Sequence, residues 1–305
     1  KGGGCDRGTW GEVVASGWKR AQLAVDLGAT QGFEVNNVVG GGTVEGGLGE
    51  VGWSPTASRR LMTNSLLSYA GTTDPGTGKH WGGVTTNGFI LGLSWDQGGD
   101  YGLWASAGHH WLFGKGVASN TRSSMMGGVY YRLIEEVNQR LRVGFNTLYW
   151  QYQKDLGGYT LGQGGYYSPQ RYLSFGIPVS YAWRNADWSV GLEGSLSVSS
   201  SKTDSSRLYP RSADRQKLAE QYDADPDSLN ARSSGSSSQS LGYRVQGTVE
   251  RRLSDHFVLG TGFNWQYSKQ YSPSRAILYL RYSIEPWEGN LPLGPEPLIP
   301  YGDFR

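Results

Sequence analysis

Leu173-Ser174-Phe175-Gly176-Ile177-Pro178-Val179-Ser180-Tyr181-Ala182-Trp183 decides the fold. Its odd positions are large and apolar, and its even positions are small or polar. A period of two puts each set on its own face of a β-strand. The same pattern runs through Phe89, Leu91, Leu93 and Trp95, interleaved with Gly88, Ile90, Gly92, Ser94 and Asp96. Working outward, segments of this kind recur from about Arg20 to Ile284. The apolar faces are continuous and rich in aromatics, while the opposite faces are too polar and Gly-rich to pack a second sheet. A soluble sandwich or propeller needs one dry face, so the pattern favours a membrane-spanning antiparallel β-barrel, apolar outside and wet inside.

The composition agrees. The 305 residues include 47 glycines, 13% aromatics and only 37% hydrophobic residues, and the mean hydropathy is -0.49. No apolar run reaches the 18 residues or so of a transmembrane helix. A net charge of +2 leaves no basic footprint for nucleic acid. The single cysteine, Cys5, excludes an intramolecular disulfide framework and disfavours a metal cluster. No phosphate loop, dinucleotide fingerprint or metal-ligand spacing is present, so no cofactor is expected. Of the four histidines (His80, His109, His110, His256), His256 sits at a short turn and His109 and His110 lie on one strand with no paired carboxylate in obvious register, which disfavours catalysis. No signal peptide opens the chain at Lys1, so an exported protein of this class is expected to be a mature piece of something longer.

Thirteen strand windows can be counted: 11–17, 20–29, 36–45, 48–57, 86–96, 101–113, 121–133, 140–152, 171–184, 188–199, 241–251, 256–267 and 274–284. Short connections (97–100, 135–139, 185–187, 253–255) alternate with longer ones (58–85, 114–120, 153–170, 200–240, 268–273). That is the asymmetry of periplasmic turns and extracellular loops. Single-chain bacterial barrels have even strand numbers, so one to three further strands either escape this count or lie among the first fifty residues. Residues 1–19 read as a poorly defined start, 20–284 as the barrel and 285–305 as a tail. Five prolines (Pro286, Pro292, Pro295, Pro297, Pro300) keep that tail out of the sheet. A short helix is expected near Ala213–Tyr222.

Longer blocks carry a resemblance. Arg59 to Gly71 (RRLMTNSLLSYAG), Asp74 to Val84 (DPGTGKHWGGV), Gly114 to Thr121 (GKGVASNT), Gly127 to Tyr131 (GGVYY), Gly164 to Leu173 (GGYYSPQRYL) and Leu280 to Pro286 (LRYSIEP) occur in order. Together they resemble the C-terminal domain of cellulose synthase operon protein C. The resemblance implies a 16-stranded outer-membrane barrel that passes nascent cellulose out of the cell. It also implies surrounding outer-membrane lipid, a periplasmic tetratricopeptide-repeat region and the cellulose synthase complex as partners.

A glucan presents hydroxyls at its edges and C–H groups on its ring faces. A conduit can offer aromatic platforms and polar groups, held weak so that the polymer can leave. Alternation places Trp104, Ser106, His110, Arg122, Tyr130, Arg132, Arg142, Asn146 and Trp150 toward the lumen. Later strands add Glu193, Arg244, Gln246, Glu250, Asn264, Gln266, Arg275, Tyr279 and Arg281. A charge facing lipid at the midplane costs about 2–4 kcal/mol, which drives these residues inward. Such charges either touch the polymer or pair with one another to brace the wall. In the loops, Trp81, Tyr166, Tyr167 and Arg171 either fold inward to narrow the exit or pack the loops together. Loop 200–240 is a solvated extracellular loop or a gate. The resulting expectation is a passive, non-enzymatic exit for a polysaccharide, most simply cellulose. Its rivals are a diffusion porin, an exporter of an amino-sugar polymer, and a surface-structural barrel.

Overall fold

The computed structural model describes residues 9–18, 21–223, 230–267, 272, 274–295 and 297. The first strands are β1 (Thr9–Trp18), β2 (Ala21–Ala29), β3 (Val38–Leu48) and β4 (Val51–Leu61). Helix α1 (Leu66–Ala70) and the two-residue β5 (Thr72–Thr73) precede β6 (His80–Trp95). Next come β7 (Tyr101–Lys115), β8 (Asn120–Glu135), β9 (Gln139–Tyr152), β10 (Arg171–Arg184) and β11 (Trp188–Thr203). The two-residue β12 (Ser206–Arg207) and β13 (Arg232–Ser233) bracket helix α2 (Ala213–Tyr222). β14 (Ser236–Arg252), β15 (Phe257–Tyr267) and β16 (Ser274–Tyr282) complete the series.

Leaving aside the two-residue pieces, the strands form one antiparallel meander in the order β1-β2-β3-β4-β6-β7-β8-β9-β10-β11-β14-β15-β16. These thirteen are the windows that alternation picks out. Sixteen is not reached among the described residues, and β16 and β1 stand at the two ends of the order. The expected extra strands do not lie between β1 and β4, because those four pair in unbroken succession. The start at residues 1–8, most of the connection 268–273 and the tail end 298–305 fall outside the described residues.

One rim carries tight turns such as Gly49–Glu50, 96–100 and 185–187, and the other carries every long connection. In the turn after β6, Gly98 adopts a φ of +74° and donates its N–H to Asp96 Oδ1 at 2.8 Å, a local bond typical of Asp-Gly punctuation. Strands on the long-loop rim outrun their sequence windows. β6 begins at His80, and β11 and β14 climb together to the pair Thr203 and Ser236.

The outward positions of β6 to β16 are apolar and exposed, from Phe89, Leu91 and Leu93 through Phe145 and Ile177 to Leu278, which is 75% exposed. Monomeric soluble proteins rarely expose contiguous apolar patches above a few hundred Å². A continuous band across adjacent strands is the lipid-facing belt of a membrane barrel.

The tail does not hang free. Trp287 N–H donates to Asp255 O at 2.7 Å, Arg252 Nη2 to Gly289 O at 2.5 Å, and Leu291 N–H to Asn185 O at 3.2 Å. Leu291 is fully buried, and Ser189 Oγ on the inner face of β11 donates to Pro292 O at 2.7 Å. Gly294, Pro295 and Pro297 line a cavity with the inner-face residues Arg142, Ser180, Glu193, Gln246 and Thr248. The tail crosses the short-turn rim and enters the lumen.

Candidate functional site

Inner-face residues form belts, because antiparallel register aligns them strand by strand. The row Arg132–Arg142–Ser180–Glu193–Gln246–Asn264–Arg275 crosses seven strands from β8 to β16. Nearer the loops, Ser94–Trp104–Gly128–Asn146–Gly176–Ser197–Gly242 is a belt of small residues broken by one indole. A Cβ on Gly128 would lie 3.0 Å from Trp104 Cε2, so the indole lies flat on the bare backbone of the next strand. Tyr130 lies on Gly102 and Tyr279 on Gly260 in the same way. Glycine opposite an inward aromatic lets the ring tile the wall instead of projecting across the lumen.

The charges are largely engaged with one another. Glu250 has no exposed surface, accepts from Tyr279 OH at 2.6 Å and pairs with Arg281 at 2.7 Å. Arg132 pairs with Asp96, whose carboxyl is held well below the usual carboxylate range by that guanidinium. The guanidiniums of Arg132 and Arg142 lie 5.2 and 5.0 Å from the Tyr130 ring centroid. Arg142 also reaches Glu135 at 3.3 Å. Arg244 donates to Gln246 Oε1 at 2.5 Å, and Asn264 donates to the same oxygen at 2.9 Å. His110 is buried on the inner face, with Arg122 Nη2 at 3.5 Å from its Nδ1. Hydrogen-bonded groups of this kind brace a wall and present few loose charges to anything passing.

At the long-loop rim the lumen is dry. Met62, Leu67, Trp81, Val84, Leu112, Val117, Tyr152, Leu156 and Tyr166 form a buried apolar cluster. Met62, Val84, Leu112 and Tyr152 come from the inner-face positions of the wall, and the rest from the loops and the first residues of β6. Of the four residues expected to narrow the mouth or pack the loops, Trp81 and Arg171 lie on strands and Tyr166 packs in the loop core. Trp81 is not in a loop: it lies on β6, paired with Thr72, and is 3% exposed. Tyr166 is 1% exposed, because Asn120 Nδ2 donates to its hydroxyl at 3.1 Å and Tyr152 packs 5.9 Å from its ring. Arg171 opens β10 in phase with the outward Phe175 and Ile177, so the pleat turns it away from the lumen. Tyr167 does face inward, edge-on to Tyr172 at 6.5 Å.

Backbone geometry permits this packing. Gly82 and Gly83, at φ +104° and +57°, interrupt the β6–β7 register and let Leu67 and Val35 close over the strand. Thr160 donates to Leu208 O, and Gln163 Nε2 donates to Arg207 O at 2.6 Å, which tie loop 153–170 to loop 204–235. Inside the loop, burial pushes the Asp155 carboxyl up, while bonds from Gly157 N–H and Ser168 Oγ partly offset the shift. Burial likewise pushes the Tyr166 hydroxyl up.

Sequence reasoning placed the wall residues but missed the loop core and the serine-rich strand tops. Met62, Leu112 and Leu156 lie far apart in the sequence, and no periodicity marks them as one cluster.

Three comparisons bear on what this arrangement is. Residues 6–285 match the family described as cellulose synthase operon protein C C-terminus. A cellulose synthase operon protein C from Salmonella typhimurium is 42% identical over 299 residues, covering 96% of this chain and 25% of the relative. The protein of that name from Escherichia coli K12 is 43% identical over the same shares, and that from Xanthomonas axonopodis pv. citri is 33% identical, covering 90% of this chain and 19% of its own length. The chain thus spans about a quarter or less of these relatives. Among solved structures, a bacterial polysaccharide outer membrane secretin shares the fold, with a TM-score of 0.54 and 12% identity, covering 91% of this chain and 78% of the other.

Proposed function

This chain belongs to the cellulose synthase operon protein C C-terminal family, and on that premise we propose that it is an outer-membrane conduit through which cellulose leaves the cell. The observation that carries the reading is the inner face. Its belt nearer the long loops is built of small residues and flat aromatics, and the charges beside it include the pairs Arg132–Asp96, Arg142–Glu135 and Arg281–Glu250. Such a surface makes many weak contacts with an uncharged sugar polymer and no tight ones. The conduit has no motor and no catalytic step; polymerisation elsewhere supplies the push. The rest of a relative-length protein would supply the periplasmic repeat region and the link to the synthase.

The dry core at the long-loop rim and the tail at the other argue against an open diffusion porin. A cationic amino-sugar polymer calls for an acidic lumen, whereas the inner set holds Arg122, Arg132, Arg142, Arg244, Arg275 and Arg281 against Glu193 and Glu250. The test is complementation. This chain, fused to the repeat region of a relative whose own C-terminal domain is deleted, should restore cellulase-sensitive glucan outside the cell. Folded barrel in the outer membrane without external glucan would refute the reading.

A further inference from the structure

Just beneath the dry core lies a groove of about 580 Å³ that the wall belts alone do not explain. Trp150, Tyr172, Ser201 and Ser238 share one row across β9, β10, β11 and β14. Trp150 and Tyr172 meet at 4.8 Å between ring centroids, an aromatic corner that fronts the groove. Running down from that corner, β11 presents Ser195, Ser197, Ser199 and Ser201 on consecutive inner-face positions, about 6.8 Å apart at roughly 3.4 Å rise per residue.

The chemistry of this groove is specific. Ser197 Oγ donates to Gly242 O and Ser199 Oγ to Ser240 O, each at 3.4 Å. A hydroxyl that donates its proton to its own sheet keeps its lone pairs for an outside donor. Ser197 and Ser199 therefore act as acceptors toward the groove, while the buried Ser201 is bonded to Ser238 Oγ at 2.9 Å. The Trp150 indole N–H is buried and has no acceptor among the described residues. Arg244 is the single charged residue among those lining the groove, and it is bound to Gln246. Ring faces, the acceptor hydroxyls of Ser197 and Ser199 and a single charged side chain match an uncharged polyhydroxylated chain of flat rings.

We infer that Trp150, Tyr172 and the β11 serine ladder form a carbohydrate-binding subsite for a neutral hexose polymer just inside the long-loop mouth. The inference rests on the conduit reading and deepens it by naming the residues that meet the polymer and their place along the lumen. Stacking on the aromatic corner orients the rings, and the ladder accepts from hydroxyls at the polymer edge. Repetition along β11 lets the chain advance from one serine to the next without a single strong bond to break.

The test uses the whole detergent-solubilised protein and cellohexaose, read by saturation transfer from protein to the ring C–H protons. The wild-type protein should give transfer, and Trp150→Leu should weaken apparent affinity about tenfold, the equivalent of about 1.4 kcal/mol. Tyr172→Phe keeps the ring and should retain binding; Tyr172→Ala should lose it. Ser199→Thr keeps the hydroxyl and Ser199→Val removes it, and both are good strand residues, so a difference between them reports the ladder and not misfolding. Heat-dependent gel mobility checks that each variant is folded. Unchanged affinity in both Trp150→Leu and Ser199→Val would overturn the subsite while leaving a sugar-binding conduit standing. So would equal transfer to a polyanionic uronate hexamer, because the neutral class would then be wrong. Absence of binding by the wild-type protein would also overturn it, and complementation then judges the conduit separately.

Discussion

Trp81→Ala tests whether the dry core holds the long-loop mouth shut. Trp81 is 3% exposed among nine clustered residues, beside Leu67 of α1 and the loop residues Leu156 and Tyr166. Truncating a buried Trp costs about 3–5 kcal/mol through lost transfer and an unfilled cavity. The site is a rim whose loops can relax into the gap, so the lower end, about 3 kcal/mol, applies. At about 1.36 kcal/mol per decade, that raises the population of undocked loops by roughly a hundredfold. The wall should be untouched, because its ladders from β6 to β11 do not pass through the indole. Two assays follow the change. Exchange at the Gly165 amide, which donates to Leu156 O at 3.0 Å, should accelerate by about that factor while amides in the middle of β8 and β9 stay protected. In planar bilayers, long-lived ionic openings should appear in the variant and be rare in the wild type. Unchanged exchange at Gly165 together with unchanged current would refute the claim that this cluster closes the mouth.

The remaining predictions concern other contacts. Asp155 has its carboxyl raised by burial, so loop 153–170 is most stable in acid and loses stability as pH rises from the unfolded value of 3.8 through the raised folded one. Asp155→Asn keeps acceptors for Gly157 and Ser168 and should remove that pH dependence, measured as protease cleavage of the loop from pH 4 to 8. Gly191→Val places a side chain where a Cβ meets Pro295 Cδ at 3.0 Å, and should expel the tail, seen as new protease sensitivity after Leu291. Glu250→Gln leaves Arg281 without its counter-charge and should cost about 2–3 kcal/mol in denaturant unfolding, below the range for a fully buried pair because Arg281 keeps some exposure. Adding Arg281→Met should recover most of that loss; additive losses would show that the two do not act as a pair.

The wall was legible because lipid and water impose opposite demands on alternate residues, and each strand window had to satisfy both. Helix α2 was legible as well, through the run from Ala213 to Tyr222 capped by Ser212, whose side chain accepts from the Arg215 amide. The strand tops were not. Above the membrane, Ser200 to Thr203 and Ser236 to Ser240 lose the apolar partner set and read as a loop, although their backbones pair in full register. Trp81 reads as a loop residue in the sequence because the glycines after it mask a strand that bulges. The tail was legible only as a negative, since prolines exclude a strand and say nothing about Leu291 finding a buried seat at the opposite end of the lumen from the loops.

The dry core also fixes an order of events. Each wall strand pairs with its chain neighbour, so hairpins can zip in sequence at low loop-closure cost. The mouth is different: the Asn120–Tyr166 bond spans 46 residues, and the bond from Arg211 Nη1 to Val117 O spans 94. Those contacts become available only after β7 to β11 stand side by side. The packing of the long-loop cluster therefore follows the pairing of the wall strands that it bridges.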